Sequence, residues 1–491
     1  MQEKNEIDIS SHSPSPADEH EISSSRQKNV WRWVEKVAIE TGGIERVTDE
    51  TRLKHPTHVW QATTFWFSAN FAVATLSTGM LGPIFGLTFY QSLAVILSVN
   101  TVLCACPAWL ATFGLTGLRM GTFTRYSFGY WGNCICVIFI LISNVGWAAI
   151  NAIAGASCWT AVSGGALPLW AGVIIISVVV WLLCIGGIAW IHKMDSFLWI
   201  LPLIVWCVAA GTGAKHFRTG GSPAGTASVL SFIAVNVSWA LSWSYLTADY
   251  NVRMPVNTPR WRLLVSTYVG IWLPSVLVMT LGAAMYDGVS DVAWSESYAA
   301  YGVGGPLTKA LEPAGGFGKF FLVLAGLSSV ANNIPNGYSF AIAAQNFGPW
   351  AVRVPRIVFV TMGFIVSVVV GCLASLSFEE SLITLLDILG YWCVILLVVV
   401  AEEHLIFRRC NWSGYNFDDW DSPHKLPFGW AGMAAFVFGF LGAVMGMAET
   451  WYTSPIAKLI GGGNIGHELT CGFAALTFPF FRWLELRICG R

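Results

Sequence analysis

The sequence predicts an all-α integral membrane protein of about twelve transmembrane helices, and three observations carry that prediction. Of 491 residues, 55% are apolar and only 11% charged, whereas roughly a quarter of an ordinary soluble domain is charged. The charges are also segregated, because residues 1–58 hold 8 of the 27 basic and 11 of the 28 acidic side chains. The remainder divides into twelve apolar runs, each near the ~20 residues that cross a hydrocarbon core of about 30 Å. In order they lie near 59–86, 88–112, 133–157, 169–190, 197–213, 229–247, 263–286, 318–345, 357–376, 381–400, 429–449 and 467–484.

The segment before the first run reads as a tail. MQEKNEIDISSHSPSPADEHEISSSRQKN is rich in Ser, Pro and acidic residues and has no apolar stretch of the secretory kind, so residues 1–58 are expected to be disordered, uncleaved and cytoplasmic. Trp31 to Glu50 has the makings of a short amphipathic helix. Such a tail offers a docking place for cytosolic trafficking or ubiquitination machinery. The expected organisation is a tail over 1–58, a transporter domain over 59–484 and a short cytoplasmic tail over 485–491.

With both termini inside, the inner loops and C-terminus carry 14 Lys and Arg and the outer loops 5, which satisfies the positive-inside rule. The sequon Asn411-Trp412-Ser413 then falls inside, where it escapes glycosylation. A net charge of −1 provides no basic face for nucleic acid. The 12 cysteines sit mostly inside apolar runs and form no CxxC pair, so they read as small packing residues.

Twelve helices suit a channel, a transporter or a membrane enzyme. An enzyme needs a chemical centre, and the 9 histidines all fall in the tail, in loops or at helix ends. No GxSxG elbow, mid-span Asp pair or GxxxxGK[ST] phosphate loop is present either. No metal or cofactor is expected. The pattern leaves a secondary transporter working on an ion gradient.

Polar groups held at membrane depth are the candidate site. The first run, FWFSANFAVATLSTGMLGP, places Ser68 and Asn70 mid-span, with Gly79, Gly82 and Pro83 after them as the stretch expected to unwind. The bland alternative for Ser68 is a bond back to its own helix. In the third run, Trp147 and Asn151 stand four residues apart and share a helix face, giving a stacking plane beside an amide. The sixth run repeats the theme, with Trp239 and Trp243 among Ser238, Ser242, Ser244 and Thr247. So many hydroxyls suggest a helix broken at mid-membrane, in a position matching the first run, as in transporters built from inverted repeats. The Gly/Pro cue for that break is missing in the sixth run.

The eighth run, SSVANNIPNGYSFA, is the most specific. Asn332 and Asn336 lie one turn apart, Asn333 points about 100° away, and Pro335 frees the carbonyl of Ala331. An amide presents both donor and acceptor, as the edge of a heterocycle requires, and aromatic rings hold such a flat ligand by stacking.

At these residues the chain resembles the nucleobase-cation symporter family, specifically its fungal purine-cytosine permease branch, from about Thr57 to the C-terminus. The resemblance is most specific at Ala331 to Asn336, at Trp147 to Asn151, and at Trp243-Ser244-Tyr245 leading to Ala248-Asp249-Tyr250. It implies a LeuT-like five-plus-five inverted repeat followed by two helices, at the plasma membrane. It also implies that Trp147 and Trp243 sandwich the base while Asn151 and Asn336 bond its edge. Ser68 would contribute from the first helix, and Asn332, Asn333 and Pro335 would shape the eighth. Sodium-coupled relatives carry adjacent hydroxyls on helix eight, where this chain has Val330 and Ala331 with Ser328 and Ser329 just before. A proton is therefore the expected coupling ion, with sodium less favoured. Asp387 and Asp249 are the candidate proton carriers, each with a structural alternative, such as pairing of Asp249 with Arg253.

The expected function is proton-coupled uptake of cytosine and purines. The rivals are a transporter of another flat heterocycle (uracil, allantoin, pyridoxine or thiamine) and a non-transporting receptor on the same fold. Glu379, Glu380, Glu402, Glu403, Asp418, Asp419 and Asp421 read as solvated charges, most of the 68 aromatics as lipid-facing or packing groups, and Gly302 to Pro306 as a hinge or gate.

Overall fold

The computed structural model describes residues 43–54, 57–185, 197–217 and 221–491. Its principal helices are α1 (Asp49–Lys54), α2 (Val59–Asn70), α3 (Val73–Ile84), α4 (Phe89–Leu103), α5 (Asn133–Val162), α6 (Leu169–Ile185) and α7 (Ile200–Gly213). They continue with α8 (Thr226–Leu241), α9 (Arg260–Asp287), α10 (Gly315–Gln345), α11 (Arg356–Ala374), α12 (Phe378–Glu402), α13 (Trp430–Gly446) and α14 (Gly466–Cys489). Each of the twelve apolar runs holds a helix, the first of them two half-helices. Among the described residues five helical stretches are long and apolar enough to cross a membrane, the longest being Arg356–Phe407, which contains α11 and α12. Backbone groups in hydrocarbon have no water to bond, so an apolar run of this length folds as a helix. Among the described residues the one β-type pairing is an isolated bridge between Ala448 and Thr453.

The first run breaks at Phe71-Ala72, earlier than the glycines suggested. Breaking there strands the carbonyls of Ala69 and Asn70, and both find partners: Asn332 Nδ2 donates to Ala69 and Thr75 Oγ1 donates to Asn70 at 2.6 Å. Gly79 and Gly82 stay helical because they are packing positions. A Cβ on Gly79 would stand 2.0 Å from the Met279 carbonyl of α9, and one on Gly282 2.1 Å from the Leu76 carbonyl of α3. Close approach of this kind is how membrane helices pack without a hydrophobic driving force. Gly282→Ala is accordingly expected to pry α3 from α9 at about 1–3 kcal/mol, read as a lower melting temperature of the detergent-purified protein.

α8 ends at Leu241, and residues 242–246 form turns before a short 3-10 segment, Thr247–Tyr250. No Gly or Pro is needed. Ser242 Oγ bonds the Trp239 carbonyl at 2.8 Å and Asn251 Nδ2 the Thr247 carbonyl at 2.9 Å, so side chains take over where the helical ladder stops. The sixth run is thus broken in the position that matches the first.

α2 and α3 pack on α9, α5 on α10, and α6 and α11 against α5, while α12 bridges α8 and α14. Two readings at the chain ends change. Residues 43–54 are not part of a disordered tail: Ile44 is fully buried, and the Arg52 guanidinium donates to the carbonyls of Met254 and Leu115. The rest of the expected tail, residues 1–42, and most of the Trp31 to Glu50 segment lie outside the described residues. At the other end α14 runs on to Cys489, so no separate tail begins at 485.

One of the charges read as solvated, Glu403, is not. Glu403 is fully buried and holds Arg482 at 2.8 Å and Arg408 at 2.9 Å, while Arg482 also meets Glu485 at 2.9 Å. Asp418 and Asp421 are solvent-exposed, as the solvated reading has it, and pair with Arg46 and Arg125, while Asp419 is half-buried and pairs with Lys425. A buried charge survives when paired and hydrogen-bonded. This cluster ties α12 to α14 and the loop between α12 and α13.

Candidate functional site

Helices α5 and α10 run side by side, and their contact is made of amides. Asn151 of α5 donates through Nδ2 to Asn332 Oδ1 and, at 3.4 Å, to Asn333 Oδ1. Asn333 Nδ2 returns a bond to the Ala148 carbonyl at 2.9 Å, and Asn336 Nδ2 reaches Asn333 Oδ1 at 3.3 Å. Asn332, in turn, ties this network to the break between α2 and α3 through Ala69. Four candidate residues from two distant parts of the chain therefore meet in one network. Ser68 is buried on α2, one position before Ala69.

Pro335 lies inside α10, and its own carbonyl accepts the Tyr250 hydroxyl at 2.9 Å. Tyr250 comes from the segment after the α8 break, so the proline anchors the second broken helix as Asn332 anchors the first.

Each tryptophan of the expected pair is set against a second indole. Trp147 stands edge-on to Trp239, ring centroids 5.4 Å apart, and Trp243 edge-on to Trp66 at 5.0 Å. Trp243 Nε1 also donates to Asn70 Oδ1 at 3.1 Å. Each expected stacking ring is thus supported by a second indole. Trp243→Phe should remove the Asn70 bond while keeping a stacking face, for an expected loss of about 1 kcal/mol, roughly fivefold in apparent affinity. Trp243→Ala should lose more than tenfold, and competition by unlabelled cytosine reads both.

Several polar atoms at this centre are buried and meet no protein partner: Trp147 Nε1, Asn151 Oδ1, Asn336 Oδ1 and Asn144 Nδ2. Buried polar atoms normally find partners, so these four, on α5 and α10, are groups to which a ligand could bond. Asn144 is the residue that sequence reasoning passed over. Its signal was the spacing 144, 147, 151, which puts it on the face of Trp147 and Asn151. A small cavity of about 30 Å³ lies between α5, α6, α10 and α11, with Asn144, Asn333, Asn336 and Cys184 on its wall. That is space for a water-sized group. A base would require α5 and α10 to part.

The two acidic candidates have distinct surroundings. Asp249 Oδ1 accepts the Met120 amide at 2.8 Å and Oδ2 the Ser339 hydroxyl at 3.1 Å, and the cation beside it is Arg119, whose guanidinium donates to the Asp249 carbonyl. It ties the short helix Met120–Phe123 to α10. Asp387 accepts from Asn464 Nδ2 at 3.0 Å and lies against the carboxyl of Glu449. The backbone at Val330 and Ala331 offers no side-chain oxygen, Ser328 Oγ bonds back to the Ala325 carbonyl at 2.6 Å, and Ser329 packs against Gly155 of α5. Among the described residues, no group of three or more His, Cys, Asp and Glu is arranged to hold a metal ion.

Comparison with known proteins agrees with this architecture. The fold is similar to Mhp1, a nucleobase-cation-symport-1 family transporter solved in a closed conformation with bromovinylhydantoin bound, at a TM-score of 0.68 and 17% identity over 92% of this chain and 96% of that one. The purine-cytosine permease fcyB of Emericella nidulans is 33% identical over 99% of this chain and 96% of its own length. The purine-cytosine permease FCY2 of Saccharomyces cerevisiae is 34% identical over 96% and 92%. Residues 46–466 match the family described as permease for cytosine/purines, uracil, thiamine, allantoin. Members of that family are permeases, membrane transporters rather than enzymes, and this chain, an all-helical protein of the LeuT-like fold, belongs to it.

Proposed function

We propose that the chain is a secondary active transporter that takes up cytosine and the purine bases adenine, guanine and hypoxanthine across the plasma membrane, coupled to protons, by alternating access. The observation that carries this reading is the set of unpaired buried groups on α5 and α10: acceptors at Asn151 and Asn336, donors at Trp147 and Asn144. An amino-substituted, ring-nitrogen edge such as that of cytosine or adenine offers both complementary kinds of group. The tryptophans beside them suit a flat ring. The names of the related permeases fcyB and FCY2 point to the same substrates. Proton coupling is supported by the missing hydroxyls at Val330 and Ala331. Positive-inside loop charge favours cytoplasmic termini, with the N-terminal segment facing cytosolic trafficking or ubiquitination machinery.

The test is radiolabelled cytosine uptake in cells lacking their own permeases, at acidic and neutral pH, with unlabelled adenine, guanine, hypoxanthine, uracil and pyridoxine as competitors. Saturable uptake favoured by acid and blocked by purines is expected. A protein shown at the surface that moves no cytosine, or whose uptake is displaced by pyridoxine or uracil and not by purines, overturns the substrate assignment in favour of another heterocycle.

A further inference from the structure

A second buried polar cluster lies away from the amides, where α12, α14, α8 and the loop after α13 meet. Asp387 of α12 is 3% exposed and Glu449 of the loop 5%. Their carboxyls stand within hydrogen-bonding range of each other. Two carboxyl groups in contact have only acceptors when both are ionised, so the contact requires a proton on one of them. Among the described residues no Lys or Arg pairs with either group, and the polar groups facing them are neutral ones. Asn464 Nδ2 donates to Asp387 Oδ2 at 3.0 Å and bonds the Tyr391 hydroxyl at 3.1 Å, and that hydroxyl in turn approaches Glu449. The His467 ring of α14 packs against the Tyr391 ring, tilted by 41° with centroids 4.5 Å apart.

Two features beyond the acidic contact mark this as a site. Among the described residues Asp387 Oδ1 meets no N–H or O–H donor, the hydroxyl that faces Glu449 is that of Tyr391, and His467 Nδ1, on a residue 2% exposed, has no partner. The other His467 nitrogen, Nε2, bonds Ser238 Oγ of α8 at 2.8 Å. Ser238 precedes Trp239, whose ring supports Trp147 of the amide site. α12 comes so close to this junction that a Cβ on Gly390 would stand 2.1 Å from Ser238 Oγ and 2.4 Å from His467 Nε2.

We propose that Asp387 and Glu449 share one exchangeable proton and together form the proton-carrying site of the transporter. This rests on the proton-coupled reading above and deepens it. With the proton bound, the pair holds the 447–465 loop against α12. Without it, two negative charges are left in contact with no cation to neutralise them, and the loop and α12 separate. Because α12 lies against α8 and α5, which carry Trp239 and Trp147, the two states of the pair change the packing behind the amide site. Proton and base then bind with reciprocal coupling. In the positive-inside topology the loop after α13 faces outward, where the proton is taken up.

The experiment uses the full chain in permease-deficient cells, measuring cytosine accumulation, cytosine-driven acidification of the cytosol, and exchange of labelled for unlabelled cytosine, for wild type, Glu449→Gln and Asp387→Asn at matched surface levels. For one proton per base, wild-type accumulation should rise about tenfold per unit of pH gradient. Glu449→Gln should accumulate no more than onefold, acidify the cytosol less than a tenth as much as wild type, and still exchange, since exchange moves no net proton. Asp387→Asn should do the same, because the proton belongs to the pair, and it decides the matter if Glu449→Gln does not reach the surface. Accumulation that still follows the pH gradient in either variant overturns the pair as the proton site. Wild type that moves cytosine with no acidification overturns proton coupling itself, a result distinct from failure of the pair.

Discussion

Asn336→Ala is expected to reduce cytosine transport roughly thirtyfold or more while leaving the protein at the cell surface. Asn336 Oδ1 is buried and unpaired, whereas its Nδ2 makes only long bonds, at 3.3 Å to Asn333 Oδ1 and 3.4 Å to the Asn332 carbonyl. The fold therefore loses little when the side chain is truncated. A bound base loses a great deal, because its edge has been stripped of water and now faces a methyl group, at about 2 kcal/mol or more for the unmet group. Removing such a contact is penalised more heavily than shortening an apolar one, as enzymes built to bond a substrate hydroxyl reject analogues that lack it. Asn336→Asp sharpens the test: it keeps an acceptor but removes the donor toward Asn333. Uptake kinetics at matched surface density check both, and an unchanged apparent affinity in Asn336→Ala would remove Asn336 from the substrate site.

Much of the helical framework was legible from sequence because hydrocarbon imposes a local rule: an apolar run must satisfy its own backbone, and a helix is how it does so. The amide site was legible for the same reason. An Asn in such a run is conspicuous, and spacings of three, four and seven residues say which of them share a face. What escaped the sequence was tertiary. The break at Phe71-Ala72 carries no Gly or Pro, and of the two groups that relieve it Thr75 is local but Asn332 lies 263 residues away from Ala69. Gly79 looked like a flexible point because a glycine is equally the mark of bending and of close packing, and only the Met279 carbonyl opposite decides between them. Glu403 follows the tenth apolar run and Glu449 closes the eleventh, both at run ends, where a carboxylate is most simply solvated. Their partners, Arg482 and Asp387, come from other helices, and no periodicity connects them. Asn144 was within reach, three residues before Trp147, and went unread because Trp147 and Asn151 already accounted for the face.

The larger structural effect belongs to Asn332. Its amide bonds in two directions, donating to the Ala69 carbonyl at the broken first helix and accepting from Asn151 Nδ2 of α5. Asn332→Ala leaves the Ala69 carbonyl buried and unpaired, about 1–3 kcal/mol, and leaves Asn151 Nδ2 with only its long 3.4 Å bond to Asn333 Oδ1, in a place where water cannot repair the loss. The expected result is loss of transport together with a clear fall in melting temperature of the purified protein, in contrast to Asn336→Ala, which should melt near wild type. Asn332→Asp separates the two directions, because it keeps an acceptor for Asn151 and loses the donor for Ala69. If the Ala69 bond holds the break, Asn332→Asp should be as unstable as Asn332→Ala. If orienting Asn151 is what matters, it should retain stability and much of its affinity for the base. A helix interrupted at mid-membrane needs its stranded carbonyls satisfied by something that does not move with it, and a side chain from α10 that also holds the Asn151 amide makes the break and the amide network one unit. A melting temperature for Asn332→Ala equal to that of wild type would separate them again.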